Sequence, residues 1–214
     1  MPLPSASAPV ASDAGVATDD AAVAQIADAA PPPPVGPPVP KVVLHTGDSM
    51  VGGYGGLTKA LEAKFEPLGA KFVPDWMTAI SITSFDHDKH FAELLAKHSP
   101  DLVILTLGAN DVFVPFPSSL VGSVKSVAAK ASRGGRECWW ITPATWKPDT
   151  GITEVIKKNA IGCKVFDSAM LKIARGGDGI HPTNQGGIEW ADKFWVQYEA
   201  NPPAVTTIAL DAGQ

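Results

Sequence analysis

The sequence predicts an α/β protein built on a parallel sheet. From residue 41 onward, short apolar runs rich in Val and Ile alternate with longer amphipathic stretches. Polar and turn-forming residues follow each run, at the strand ends where open parallel sheets build their sites. A strand followed each time by a helix implies right-handed crossovers and a sheet covered on both faces.

The first strand is Val42 to Thr46, ending at Gly47-Asp48-Ser49. A helix over about 54–66 follows, with Leu57, Leu61, Lys64 and Phe65 in helical rhythm and Thr58, Lys59 and Glu62 outward. Lys71 to Pro74 is the second strand and runs into "TAISITS". Next come a helix over 86–98 and a strand from Leu102 to Leu107, which ends at Gly108-Ala109-Asn110-Asp111. A helix over 118–131, a strand from Cys138 to Thr142, a helix over 152–160 and a strand from Lys164 to Phe166 follow. The last helix spans 186–199.

Residues 1–40 differ from this pattern. They hold ten of the 20 prolines and eleven alanines, with no aromatic residue, Lys or Arg. Such a segment cannot bury enough apolar surface to offset its chain entropy, so it is expected to be a disordered linker, stiffest at "PPPPVGPP". The expected domain covers 41–200, and 201–214 is a tail or an added edge strand. The 174 residues after the linker carry 17 basic and 18 acidic side chains, with no basic cluster, which argues against a nucleic-acid partner. No apolar run is long enough to cross a bilayer, and no signal-peptide pattern is visible. An Ala/Pro linker ahead of a folded domain nevertheless resembles the tether of exported envelope proteins. Export, a membrane tether through that linker and a monomeric state are therefore expectations.

Cys138 and Cys163 open two runs that would be neighbouring parallel strands, which places their thiols within bridging distance. The pair is read either as a disulfide or as two small buried hydrophobes.

Ser49, between a strand and a helix, would often be no more than an N-cap. "GGDGIHPTNQGG", residues 176–187, adds a second role. A carboxylate at Asp178 can reach the Nδ1–H of His181, fixing the tautomer so that Nε2 can take a proton from Ser49. "LTLGAND" supplies a donor for the oxyanion of acyl transfer, the side chain of Asn110, and the backbone N–H of Ser49 is another. Asn-Asp after a strand is also a common turn pair.

"GDS", "GAND" and "DGIHP", in that order, resemble the SGNH (GDSL-type) hydrolases over about residues 41–200. The resemblance implies a three-layer α/β/α, flavodoxin-like fold with a five-stranded parallel sheet. It implies Ser49 as nucleophile, His181 as base, Asp178 as its orienting acid and Asn110 as oxyanion donor. Its activity is ester cleavage, on lipids, acetylated sugars or small acyl compounds. The family's usual glycine after the second strand, a further backbone donor, is missing, since residues 70–107 contain none. A backbone N–H near Ser81 is the expected substitute. The motif is not the G-x-S-x-G elbow of larger α/β-hydrolases, because Val51 stands where that motif needs glycine.

"DHDKH", residues 86–90, is a metal-site candidate or, by preference, a helix start capped by Ser84. His87 and His90 rank below His181 as bases because they lack a paired acid. His45 and His98 are read as structural, and one of Trp139 and Trp140 as core. Trp146, beyond the fourth strand, is a candidate pocket wall for substrate.

The activity expected is carboxylic ester hydrolysis through an acyl-enzyme, with no metal or organic cofactor. The expected substrate is a small-molecule or carbohydrate ester, with an acetylated polysaccharide or peptidoglycan sugar as first guess. Acyl transfer to a sugar hydroxyl and a non-catalytic envelope binding module are the alternatives.

Overall fold

A computed structural model describes residues 39–52 and 56–202. The linker up to residue 38, the proposed helix start at residue 54 and the tail from residue 203 lie outside the described residues. Five strands form one all-parallel sheet: β1 Val42–Gly47, β2 Lys71–Pro74, β3 Leu102–Thr106, β4 Glu137–Ile141 and β5 Lys164–Phe166. Their order is β2-β1-β3-β4-β5. Chain direction across the sheet reverses between β1 and β3, and crevices outside the carboxyl ends of the strands at such points are where ligands bind in these folds.

The helices are α1 Leu57–Phe65, α2 Ile82–His87, α3 Lys89–His98, α4 Val121–Ser132, α5 Ile152–Asn159 and α6 Asn184–Ala200. Side chains of successive strand residues point to opposite faces, and here both faces are covered. Val43, Ile104, Trp139 and Ile141 pack with Leu57, Leu61 and Phe65 of α1 and with Trp190, Phe194 and Tyr198 of α6. Leu44, Val103, Leu105 and Trp140 pack with residues of α2 to α5, among them Phe85, Phe91, Val127 and Ile156. Burying each large side chain contributes about 1.5–3 kcal/mol. Layers on both faces make the three-layer α/β/α arrangement.

Several local expectations change. Trp139 and Trp140 are both fully buried, because each face of β4 has its own helical layer. Thr58 is buried rather than outward, and its hydroxyl donates to the carbonyl of Val51. The helix expected over 86–98 is two helices, since Asp88 is extended (φ −74°, ψ 140°) and caps α3 through the N–H of His90. Ser81 caps α2 by accepting the N–H of Ser84, so Ser84 is not the cap.

Cys138 and Cys163 form a disulfide 25 residues apart in sequence, with Cα atoms 4.5 Å apart. It joins the starts of β4 and β5, far along the sheet from the carboxyl-end rim. In the loop-entropy picture such a bridge adds about 3 kcal/mol. Replacing both cysteines with alanine should therefore lower the urea midpoint by an amount equivalent to about 3 kcal/mol, a loss that reduction of the unaltered protein should reproduce.

Candidate active site

Gly47 ends β1 in a conformation (φ 151°) that side chains rarely adopt, and a Cβ there would lie 1.9 Å from the carbonyl oxygen of Thr106. Only glycine allows the first strand to pass this close to β3. The next residue, Asp48, is fully buried. Its Oδ2 accepts the N–H groups of Gly108 (3.0 Å) and Ala109 (2.9 Å), and its Oδ1 accepts that of Met50 (2.9 Å). One carboxylate thus ties the turn that presents Ser49 to the Gly108–Asp111 turn after β3.

Asp111 makes the next link. Its Oδ2 accepts the N–H of Ile82 (3.0 Å), while the Asn110 side chain donates to the carbonyl of Ile80 (2.9 Å). Ser81 is therefore held by both of its neighbours against the Asn110-Asp111 turn. Ala79, two residues earlier, takes a left-handed conformation (φ 59°) that turns the chain into this position, a cost that packing around the segment must offset. Asn110 has a second side-chain hydrogen available. The backbone N–H groups of Ser49 and Ser81 have no acceptor among the described residues.

The other half of the site comes from the segment before α6. Asp178 Oδ1 accepts the N–H of Ile180 (2.8 Å) and His181 (3.0 Å), which closes the loop. Its Oδ2 lies 2.7 Å from His181 Nδ1, and His181 Nε2 lies 2.9 Å from Ser49 Oγ. Arg175 braces this loop: its guanidinium donates to the carbonyls of Ile180, Ala144 (2.6 Å) and Thr145 (3.2 Å). Behind the loop, Gly187 touches the start of α1, and a Cβ there would lie 2.2 Å from the Leu57 nitrogen.

The electrostatics differ between the carboxylates. The hydrogen bond to His181, then the two backbone N–H groups, pull Asp178 down to about 2. Burial pushes Asp48 up to about 6 despite its three N–H donors, with the nearby charge of Asp111 adding to the rise. Burial likewise raises Asp111 to about 6, against the opposing hydrogen bond from Ile82.

Ser49, His181 and Asp178 are brought into one chain of contacts, and Ser81 and Asn110 are clamped beside one another. Trp146 lies at the rim beyond β4, partly buried, with Phe113 edge-on at 5.8 Å and the Arg175 guanidinium 5.9 Å from its ring centre. His90 does have a paired acid, since its Nε2 lies 2.8 Å from Asp75 Oδ1, but the imidazole facing Ser49 is that of His181. No cluster of three potential metal ligands occurs among the described residues, so "DHDKH" supplies helix-capping groups instead. His45 is fully buried between Thr106 (2.9 Å) and Thr58 (3.3 Å), and burial lowers it to about 3. Asp48, Asp111 and Arg175 were not singled out from the sequence. Asp48 and Asp111 did lie inside the quoted motifs, and their full burial is visible only once the turns pack together.

The sequence matches no family profile and no curated protein. The fold has counterparts among solved structures. Est24, a carbohydrate acetylesterase from Sinorhizobium meliloti, gives a TM-score of 0.58 at 20% identity over 74% of this chain and 100% of that one. The acetyl xylan esterase AlAXEase gives 0.59 at 18% identity, over 73% and 98%. A catalytic mutant of Axe2, an acetylxylan esterase from Geobacillus stearothermophilus, gives 0.57 at 17% identity, over 76% and 94%. The chain has the fold of the SGNH hydrolases, the one its motifs implied.

The raised carboxyls carry a pH signature. A group whose folded value lies above its unfolded one stabilises the fold at low pH and loses that contribution as pH rises through the folded value. For Asp111 the window runs from about 4 to about 6. Asp111→Asn keeps an acceptor for the Ile82 N–H and cannot ionise. Urea unfolding at pH 4 and pH 7 should show the variant gaining stability relative to the unaltered protein as pH rises, on the order of 1 kcal/mol.

Proposed function

We propose that this protein is a serine esterase acting through an acyl-enzyme. The observation that carries this reading is the unbroken series Asp178, His181 and Ser49, with contacts of 2.7 and 2.9 Å. Likeness in fold to three esterases supports it.

Asp178 holds the His181 proton on Nδ1, which leaves Nε2 free to accept the proton of Ser49 as its Oγ attacks an ester carbonyl. Negative charge then grows on the former carbonyl oxygen. The backbone N–H groups of Ser49 and Ser81 and the second side-chain hydrogen of Asn110 meet it. His181 returns the proton to the departing alkoxide, and water then attacks the acyl-enzyme by the reverse route. The chemistry uses only side chains and backbone, with no cofactor in any step. A module that only bound ligand would have no use for a serine hydroxyl poised against an imidazole.

An acetylated polysaccharide or a peptidoglycan sugar is the proposed substrate class; Est24 is a carbohydrate acetylesterase, and AlAXEase and Axe2 are acetylxylan esterases, which favours the first. The Ala/Pro-rich start of the chain and the disulfide support an exported location, since disulfides persist in oxidising compartments. Trp146 is proposed as part of the substrate wall.

Ser49→Ala should reduce turnover of 4-nitrophenyl acetate by roughly 10⁶ and abolish labelling by a fluorophosphonate. A loss below about tenfold removes Ser49 from the chemistry. A second test uses pH. An imidazole takes the serine proton only when neutral, so turnover falls on acidification. Asp178 is held at about 2 and stays ionised through that range. Asp178→Asn should lower kcat by roughly 10⁴ in stopped assays across pH 5–9, and a rate independent of pH would contradict the assigned base.

A further inference from the structure

Between the start of α1 and the end of β2 lies a cavity of about 280 Å³ that the mechanism above does not use. Its walls include Val51, Pro74 and Trp76, with Lys59, Glu62 and Asn184. Val51 is two residues from Ser49, and Asn184 is three from His181. Chain segments of that length reach at most about 7 and 11 Å, so two walls of the cavity lie within that span of the Ser49 and His181 backbone.

Trp76 is placed by backbone pairing that continues past the end of β2. The N–H of Asp75 donates to the carbonyl of His45 (2.9 Å) and that of Met77 to the carbonyl of Gly47 (3.0 Å). Trp76 therefore stands one strand over from the nucleophile. Its indole lies against Gly52, where a Cβ would come within 2.3 Å of Nε1, yet the residue remains 43% exposed. The result is an aromatic plate packed on Gly52 and partly exposed, and it lines the cavity.

The lining decides the class of ligand. An aromatic face meets the C–H face of a pyranose, and the ammonium, carboxylate and amide of Lys59, Glu62 and Asn184 can exchange hydrogen bonds with hydroxyls or ring substituents. A fatty chain would leave those three polar groups facing hydrocarbon. Pockets for drug-sized ligands run from about 300 to 1,000 Å³, so this one suits a single ring. Proton return also sets direction: the leaving oxygen must lie at His181 Nε2. We infer that this cavity is the subsite for the sugar ring whose hydroxyl carries the ester, with Trp76 as its stacking platform. The inference rests on the serine-esterase reading.

Glucose pentaacetate and 4-nitrophenyl acetate separate ring recognition from chemistry. The measured quantity is the ratio of kcat/KM for the sugar ester to that for the aryl ester. Trp76→Ala should lower this ratio about tenfold, mainly through KM, the scale of one aromatic contact. Trp76→Phe, which keeps a ring, should hold most of it. An unchanged ratio in Trp76→Ala, or an equal fall in Trp76→Phe, overturns the platform. So does a Trp76→Ala effect confined to 4-nitrophenyl octanoate, which would assign the cavity to an acyl chain. If the unaltered protein cleaves neither ester, the esterase reading fails separately. Calorimetric titration of Ser49→Ala with glucose pentaacetate then decides the subsite: binding lost on adding Trp76→Ala upholds it, and unaffected or absent binding removes it.

Discussion

The carboxylate of Asp48 accepts the N–H groups of Met50, Gly108 and Ala109 while none of its own surface is exposed. These bonds fix the turn after β1 against the turn after β3, and the Ser49, Ser81 and Asn110 side of the site takes its position from that junction. Asp111 extends the arrangement to Ile82 and Asn110 extends it to Ile80, so the segment around Ser81 is positioned by a second set of bonds from the same turn. The cost is two buried carboxyls near one another, each pushed up to about 6. Burial of this kind is tolerated when the charged oxygens are met by donors, and here backbone N–H groups meet them.

How much of this could be read from the chain depends on how local the determining contacts are. The β2 and β5 boundaries, Lys71–Pro74 and Lys164–Phe166, are legible because apolar runs are bounded by turn residues. The break at Asp88 is not legible, because an acidic residue there reads equally well as part of a helix's first turn, and only backbone angles reveal two helices. Burial of Trp139 and Trp140 together follows from helices on both sheet faces, a property of the whole domain.

The motif residues divide in the same way. Asp178 and His181 could be paired from sequence because they are three apart on one loop. Asp48 reads locally as a turn former, since its partners Gly108 and Ala109 stand about sixty residues downstream. Arg175 looks like one more surface cation until Ala144 and Thr145 are seen to accept from it across thirty residues. Asp75 and His90 are a similar case, close in space through the turn after β2. Trp76 sits in a stretch without helical or strand rhythm, so no periodicity marks it as a cavity wall.

Of the two links that join carboxylate to imidazole and imidazole to hydroxyl, one spans three residues and the other spans 132. The first belongs to a self-bonded loop and survives wherever that loop goes. The second exists only while two remote parts of the domain stay docked. Loosening the domain therefore disconnects the machinery at a single joint, leaving an intact acid–imidazole couple facing solvent and a serine that reverts to an ordinary alcohol.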